Sequence, residues 1–201
     1  MAANPQHEYT LEEYFDLEMS SDTRYEYWNG DVFCMSGVSE GHAQIESNLI
    51  VLLGLAMRER QGRIFPSRMR ISVPSLPPYR YADLSVLRGT ASFEKIGGVD
   101  VLLNPTLIIE VLSDSTEAYD RGDKFTHYKS IPDFREYLLV AQHRPHITQY
   151  AREDNGSWSY REVNDLAEHL ILPSLDCVLE LKDVYQDVAF PEPNLRIPRM
   201  P

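Results

Sequence analysis

Asn104-Pro-Thr-Leu-Ile-Ile-Glu-Val-Leu-Ser113 is the stretch of this chain that decides the fold. It is a short run of apolar and β-branched residues that contains one acid, Glu110, and is bounded by a proline and a serine. Such a run predicts a strand covered on both faces, of the kind found inside an α/β sheet. Because side chains alternate along a strand, Glu110 is expected to share one face with Ile108 and Leu112.

The acid in this strand needs a partner. An unpaired carboxylate in apolar surroundings costs several kcal/mol or becomes protonated. Glu110 is therefore expected to meet a metal ion or a cationic side chain. A strand-end acid that reaches solvent, or a buried salt bridge with no further role, are the alternatives that residue type leaves open.

The composition is that of an ordinary globular protein. The 201 residues fit one domain, and 43% are hydrophobic and 25% charged. No apolar run approaches the ~18–20 residues needed to cross a membrane, and the N-terminus lacks the pattern of a signal peptide. Cys34 and Cys177 form neither a metal motif nor a disulfide framework, which favours a reducing compartment. Together these features predict a cytoplasmic protein with no membrane association.

The net charge is −12. This charge counts against broad, sequence-independent binding to nucleic acid, although it leaves room for a local basic patch or for contact through a bound metal ion. Arginines are dense in one segment, at positions 58, 60, 63, 68 and 70, where they are expected either to line a cleft or to solvate one side of the protein.

Periodicity and turn signals predict a mixed α/β sheet flanked by helices, in a single domain over 1–201 with its core at about 8–187. The predicted elements near the N-terminus are a helix after the Thr10–Glu13 capping box, a hairpin turning at Asn29-Gly30 and a helix over about 41–60. The middle of the chain is predicted to form one or two strands across 63–73, a strand over 79–87, a loop or short helix at 88–103, the Glu110 strand and a helix over 121–130. Strands are predicted at 135–141, 147–152 and 158–163, followed by a last strand from 171 and a closing helix near 181–185.

Two strand acids are expected to converge. Asp83 begins an apolar strand after a proline-rich turn, and Glu110 lies in the next central strand. Adjacent strands lie ~4.8 Å apart, so two such carboxylates can meet at one divalent cation. A small set of oxygen ligands, with room for water and phosphate, suits Mg²⁺ or Mn²⁺.

Further polar residues are placed near these acids by helical spacing. Asp120, Lys124 and Tyr128 share one face of the helix that follows the Glu110 strand, so Lys124 can approach the two carboxylates. On the first long helix, His42 falls within the apolar face and Glu46 at its edge. For His42 a hydrogen-bonded structural role is preferred to a ligand role, and Glu46 is either a site residue or a solvated edge charge.

The order and spacing of many short pieces resemble the Uma-two family, whose members are restriction-endonuclease-like proteins of the PD-(D/E)XK nuclease superfamily. The resemblance covers about residues 8–187. The pieces that carry it are Arg24-Tyr-Glu, Asn29-Gly-Asp-Val, His42, Asn48-Leu49, Ala82-Asp83-Leu-Ser-Val, Ile109-Glu110-Val-Leu-Ser113, Thr116, Asp120-Arg-Gly-Asp-Lys124, Tyr128 and Glu136-Tyr137.

The resemblance implies a set of site residues. Asp83 matches the metal-binding aspartate and Glu110 the second acidic ligand. Ala82 stands where the family usually has proline, and Leu112 occupies the position of the superfamily lysine. Members of this family share that absence, and Lys124 resembles a relocated equivalent. Glu46 is the candidate for the glutamate that many such nucleases carry on the first core helix.

Two functional hypotheses follow from these residues. The first is a Mg²⁺-dependent endonuclease that hydrolyses DNA, in which paired subunits of a homodimer could cut the two strands. The second is a non-catalytic binding or regulatory module of the same fold, which the acidic net charge favours. A third, a metal hydrolase that uses His143 and His146, is weak because both histidines lie in a predicted hairpin turn.

Overall fold

A computed structural model of the chain describes residues 8–35 and 37–190. The helical segments in this part of the chain are α1 (Leu11–Ser20), α2 (Glu40–Arg58), α3 (Glu117–Tyr119), a π-helical turn (Asp120–Lys124), α4 (Phe125–Tyr128) and α5 (Leu181–Val184). The strands are β1 (Arg24–Trp28), β2 (Asp31–Met35), β3 (Gly62–Pro66), β4 (Arg70–Ile71), β5 (Arg80–Tyr81), β6 (Leu84–Arg88), β7 (Phe93–Ile96), β8 (Val99–Leu102), β9 (Leu107–Leu112), β10 (Glu136–Ala141), β11 (Ile147–Arg152), β12 (Trp158–Val163), β13 (His169–Leu172) and β14 (Cys177–Glu180).

A six-stranded mixed sheet forms the centre of the protein, in the order β12-β11-β10-β9-β6-β3. Strands β9 and β10 are parallel, and the other neighbours are antiparallel. Every residue of β9 is buried, as predicted for the stretch around Glu110. The predicted mixed α/β sheet with flanking helices is confirmed.

The two faces of the central sheet are covered by different helices. On one face, Ile109 and its alternating neighbours pack against the apolar side of α2. On the other, Ile108 and Leu112 pack with Phe125 and Tyr128 of α4. Glu110 shares this second face by alternation and is 3% exposed, so it points toward the helical segment that carries Lys124.

The local signals near the N-terminus predicted their structures well. Thr10 and Glu13 form the expected capping box at the start of α1. Asn29 and Gly30 both have positive φ in the turn between β1 and β2, as a two-residue hairpin of this type requires. The helix predicted over 41–60 is α2, which begins one residue earlier, after the N-cap Ser39.

The single strand predicted over 79–87 is wrong. The chain forms β5 and β6, which belong to two different sheets, with a break at Ala82 and Asp83. The break arises because the Asp83 carboxylate, rather than a backbone carbonyl, accepts the hydrogen bond from the Val111 amide. The pairing between β6 and β9 therefore ends at this acid.

Three other segments also differ from the predictions. Residues 88–103 contain the hairpin β7–β8 rather than a loop or short helix; its turn is Gly97-Gly98, where both residues have positive φ. The helix predicted over 121–130 begins at Glu117 and includes the π-helical turn. The strand predicted from 171 is one half of the hairpin β13–β14.

Within residues 8–35 and 37–190, no helix is both long enough and apolar enough to cross a membrane.

Candidate active site

Asp83 and Glu110 are held together by reciprocal contacts with each other's strand. Asp83 Oδ2 accepts a hydrogen bond from the Val111 amide at 2.7 Å, and the Asp83 amide lies 3.4 Å from Glu110 Oε2. These contacts extend the register in which Leu84 faces Ile109. The two acids therefore meet because they lie at paired positions of adjacent strands, as the sequence predicts.

Lys124 completes the buried group from the π-helical turn. Its Nζ lies 3.0 Å from Glu110 Oε1 and 3.4 Å from Asp120 Oδ1, and its side chain is 6% exposed. Tyr128 donates to the same Glu110 oxygen at 3.1 Å. The helical spacing of Asp120, Lys124 and Tyr128 thus places all three beside Glu110, and the Asp120–Lys124 pair is buried rather than a surface pair.

The pKa values in this group are set by burial and by the charges of its members. Burial, followed by the charges of Asp120 and Asp83, raises the pKa of Glu110 well above its ordinary value, although Lys124 opposes this shift. Burial works against the charged form of Lys124, but Glu110 and Asp120 raise the pKa of its ammonium well above the usual range. Lys124 therefore stays charged, and Glu110 is the carboxyl group whose ionised form is most costly.

His42 contacts the other acid. Its Nε2 lies 3.3 Å from Asp83 Oδ1, although the angles of this contact are not those of a regular hydrogen bond. Burial would raise the pKa of Asp83, yet His42, Lys124 and the Val111 amide outweigh it and lower the pKa. The sequence reasoning preferred a structural histidine, whereas the structure places His42 at the acidic group. Its position on the inward face of α2 is the signal that pointed there.

Glu46 lies one turn after His42 on α2 and is half-buried. Burial and the charge of Asp83 raise its pKa, while His42 and Ser67 lower it. Glu46 is thus within electrostatic range of Asp83, but it does not line the cavity that Asp83 and Glu110 share. Its role as a site residue stays a prediction.

A cavity of about 300 Å³ opens onto the acids. Besides Asp83, Glu110, Asp120, Lys124 and His42, its polar lining consists of Arg24, Ser39, Ser113, Ser115, Thr116 and Gln142. Sequence reasoning missed Gln142, whose side-chain amide donates to the Leu112 carbonyl at 2.9 Å. The arrangement can hold a small anion or phosphate group beside Lys124 and a cation beside the carboxylates.

The dense arginines of residues 58–70 do not line this cavity. Arg70 forms an ion pair with buried Glu18 at 2.9 Å, Arg68 donates to the Asp22 carbonyl, and Arg63 lies over the ring of Phe65. These contacts are separate from one another, so the segment stabilises several parts of the fold.

The two histidines of the 143–146 turn also lie elsewhere. His143 is exposed beside Asp114, whereas His146 is buried and contacts Thr148 and Glu162. In the part of the chain that the structure describes, no cluster of three or more His, Cys, Asp and Glu side chains could hold a metal ion. A histidine-based metal centre therefore has no support in these residues.

The acidic group nevertheless fits a hard divalent cation. Mg²⁺ is commonly held by one or two carboxylates, with water and substrate phosphate filling the other positions. Asp83 and Glu110 supply two carboxylates from adjacent positions, and burial, followed by the charges of Asp120 and Asp83, raises the pKa of Glu110. Oxygen donors of this kind suit Mg²⁺ or Mn²⁺ rather than a softer metal.

Comparison with a solved structure supports the mixed α/β architecture described above. The fold resembles "a putative nuclease belonging to DUF820" from Anabaena variabilis with a TM-score of 0.67 at 16% identity, and the match covers 85% of this chain and 96% of that one. At this level of identity the likeness concerns the fold.

Sequence comparison identifies the family. Two uncharacterized proteins of Synechocystis are similar: sll1609 is 32% identical over 77% of this chain and 86% of its own length, and slr1290 is 31% identical over 89% and 92%. A family model described as "Uma2: Putative restriction endonuclease" matches residues 11–182. The chain therefore belongs to the Uma2 (Uma-two) family of restriction-endonuclease-like proteins.

Proposed function

We propose that this protein is a metal-dependent endonuclease that hydrolyses phosphodiester bonds of DNA at the cavity lined by Asp83, Glu110 and Lys124. The observation that carries the proposal is the approach of Lys124, from a separate helical segment, to 3.0 Å from Glu110. Two acids and a lysine at one cavity supply the charges that phosphoryl transfer needs. The family description, a restriction endonuclease, supports the same class of reaction.

Each residue has a defined part in this proposal. Asp83 and Glu110 would hold a Mg²⁺ or Mn²⁺ ion, which when bound supplies a Lewis acid and a more acidic water. The Val111 amide fixes the orientation of the Asp83 carboxylate. Lys124, kept charged by Glu110 and Asp120, would donate hydrogen bonds to a non-bridging phosphate oxygen as negative charge develops there.

The reaction itself is a hydrolysis. A water oxygen forms a bond to phosphorus, the bond from phosphorus to the leaving sugar oxygen breaks, and that oxygen takes up a proton. Because Lys124 is charged, it is suited to stabilise the phosphate rather than to remove the proton of the attacking water. Glu46 does not line the cavity, so the proton of the attacking water would leave through solvent water.

The test is cleavage by matched variants. Purified wild type, Glu110→Gln and the control Glu117→Gln are incubated with plasmid, linear, single-stranded and branched DNA, and with RNA, with and without Mg²⁺ or Mn²⁺. Glu117 is an exposed acid paired with Arg121 on the neighbouring helix, so its loss leaves the cavity intact. Wild type and the control should cut a DNA substrate only with metal, and Glu110→Gln should be inactive.

The non-catalytic alternative is favoured by the acidic net charge and by the cationic or polar partners that both acids already have within the protein. It predicts that the wild type and Glu110→Gln are equally inert on every substrate. Salt offers a further test of DNA binding. Because the proposed contacts to phosphate are electrostatic, metal-dependent binding of DNA by an enzyme should weaken as the salt concentration rises.

The expected homodimer is a separate part of the proposal. Analytical ultracentrifugation across a range of protein concentrations would detect it, and a monomer at all concentrations would mean that each chain cuts one strand at a time.

A further inference from the structure

A second cavity, of about 350 Å³, adjoins the acidic one. The two cavities share Cys34, Met35, Ser115, Thr116, Asp120 and Lys124 as lining residues. A molecule that places a phosphate at Lys124 can therefore extend directly into the second cavity. Volumes of this size are typical of pockets that hold one small ligand or one part of a larger ligand.

Arg80 is the unusual residue of this second cavity. The side chain is 1% exposed, and its Nη1 donates to the Tyr79 carbonyl at 2.6 Å. The other two nitrogens, Nε and Nη2, are buried and make no hydrogen bond of regular geometry among residues 8–35 and 37–190, and the Tyr119 hydroxyl is the polar group that interacts with the guanidinium. A buried guanidinium with open donors is costly, which indicates that an absent ligand supplies the acceptors.

The walls of the cavity are mostly aromatic and apolar. Trp28 and Tyr119 lie with their ring centroids 5.2 Å apart, and Tyr27 and Phe33 add two further rings from the β1–β2 hairpin. The Tyr119 hydroxyl interacts with Arg80, and both side chains line the cavity. Flat aromatic faces next to paired donors suit a planar ring that carries acceptors on one edge.

The charges around Arg80 disfavour a bare phosphate. Glu26 and Asp120 also line the cavity, so its two basic side chains, Arg80 and Lys124, are matched by two acids. A phosphate dianion would add negative charge to surroundings that already contain both signs in equal number. A neutral ring accepts hydrogen bonds from Arg80 without this repulsion.

From these features we infer that the second cavity is a nucleobase pocket and that the base it prefers is guanine. The Arg80 Nε and Nη2 groups form the fork of donors that matches the O6 and N7 acceptors of guanine. Trp28 and Tyr119 provide the faces on which the ring stacks. The inference rests on the proposed function of the neighbouring cavity, because the base would belong to a nucleotide next to the phosphate that is cut. That base would be turned out of the stack of bases, as in enzymes that bind a single flipped base.

The chain contains a built-in probe for this pocket. Its two tryptophans are Trp28, which lines the cavity, and Trp158, which packs against Phe125 and Phe134 and is not among the cavity's lining residues. In a Trp158→Phe background, the fluorescence of Trp28 alone reports occupancy. The titrants are guanosine, GMP, AMP, CMP, TMP and inorganic phosphate, all without divalent metal.

Guanosine and GMP should quench Trp28 with similar affinity, and the other bases should bind at least ~10-fold more weakly, the scale of one bidentate contact. Arg80→Lys should remove the preference for guanine while keeping the charge, and Arg80→Met should remove binding. Arg88→Met, at an exposed end of β6, is the control and should bind guanosine like the parent. Thermal melting of each variant establishes that it is folded.

Three results would overturn the inference. Inorganic phosphate that binds as tightly as GMP would make the cavity an anion site. Equal binding of all bases, unchanged in Arg80→Lys, would mean stacking without recognition. No quenching by any titrant in the folded parent would mean that the cavity does not take a base. If Arg80→Met does not fold, the ranking of bases by the parent and by Arg80→Lys still decides.

Failure of the pocket and failure of the nuclease proposal are separable. Guanosine binding is measured without metal and in Glu110→Gln, a variant that lacks the proposed cleavage. Binding with a guanine preference but no cleavage by the wild type would retain the pocket and reject the nuclease. Cleavage of DNA without any effect of Arg80→Lys on guanosine binding would reject the pocket alone.

Discussion

Replacement of Lys124 with methionine should destabilise the protein strongly at neutral pH. The ammonium lies 3.0 Å from Glu110 and 3.4 Å from Asp120, with 6% of the side chain exposed, so its loss leaves two buried carboxyl groups without their cation. Removing one partner of a buried ion pair typically costs about 3–5 kcal/mol. We expect a loss near the lower end of this range at pH 7, because Glu110 can take up a proton instead.

The dependence on pH identifies the cause of this loss. The pKa of Glu110 is already raised, and without Lys124 it should rise further. A group whose pKa is raised by folding contributes stability at low pH that is lost as the pH rises through the folded-state pKa. The deficit of Lys124→Met should therefore shrink toward pH 5, by at most about 1.4 kcal/mol for each unit by which the pKa of Glu110 rises above its value in the wild type.

Chemical denaturation at pH 5 and pH 7 measures the free energy of unfolding in both conditions. Lys129→Met is the matched control, because Lys129 is exposed and its Nζ lies 4.9 Å from the ring centroid of Phe125, a contact worth at most about 1 kcal/mol. The double variant Lys124→Met with Glu110→Gln should recover part of the loss. A deficit below about 1 kcal/mol, equal at both pH values and unaffected by Glu110→Gln, would refute the reasoning.

The same variant tests the catalytic role. If Lys124 stabilises the developing phosphate charge, single-turnover cleavage should fall at least ~100-fold, as for the loss of one positioned transition-state donor. The assay is run at a temperature where the variant is folded. Undiminished cleavage would mean that Lys124 serves the fold and that its charge is not used in the reaction.

Three further outcomes are expected. Millimolar Mg²⁺ or Mn²⁺ should raise the melting temperature of the wild type by mass action, and Asp83→Ala should abolish the shift; an equal shift in both would place the ion elsewhere. Burial lowers the pKa of His146, so the free energy of unfolding should rise as the pH increases toward 6.5. Differential scanning calorimetry at a series of pH values should find a smaller rise in His146→Gln than in the wild type. Identical slopes in the two proteins would assign the effect to another group. Gly97→Ala should lower the free energy of unfolding by about 1–3 kcal/mol, because the added Cβ would lie 2.6 Å from the ring of Phe15. Gly98→Ala, which has the same sign of φ but open space around it, should lower it by only about 1 kcal/mol. Equal losses of stability in chemical denaturation would mean that the Phe15 ring moves to make room.

The features that the sequence predicted are those encoded by neighbouring residues. The apolar run around Glu110 indicates a buried strand wherever it occurs, and Asn29-Gly30 indicates a tight hairpin turn. The capping box at Thr10 likewise depends on residues three apart. In each case the local pattern and the tertiary structure favour the same conformation.

The features that the sequence missed depend on contacts between distant segments. The strand predicted over 79–87 breaks because the Asp83 side chain binds the Val111 amide, which no pattern within that stretch can indicate. Arg80 is a charged residue between two tyrosines, and this alternation along a strand predicts that its side chain is exposed. The packing of other segments nevertheless buries it. The pairing of Lys124 with Glu110 was expected from helical spacing and family resemblance. Because the pair is buried, removing one partner should cost more free energy of unfolding than it would at the surface.

The contacts that hold the Asp83 and Glu110 carboxylates have a consequence for the ion selectivity of the proposed metal site. The Val111 amide holds the Asp83 carboxylate, and Lys124 and Tyr128 hold the Glu110 carboxylate, so these contacts limit the separation of the two acids. Repulsion between them cannot be relieved by swinging apart. A gap of fixed width discriminates by ionic radius, so an ion with ligand distances of about 2.0–2.1 Å should seat differently from calcium, which prefers about 2.3–2.6 Å. Ca²⁺ is therefore expected to compete for the acids without matching the stabilisation given by Mg²⁺ or Mn²⁺.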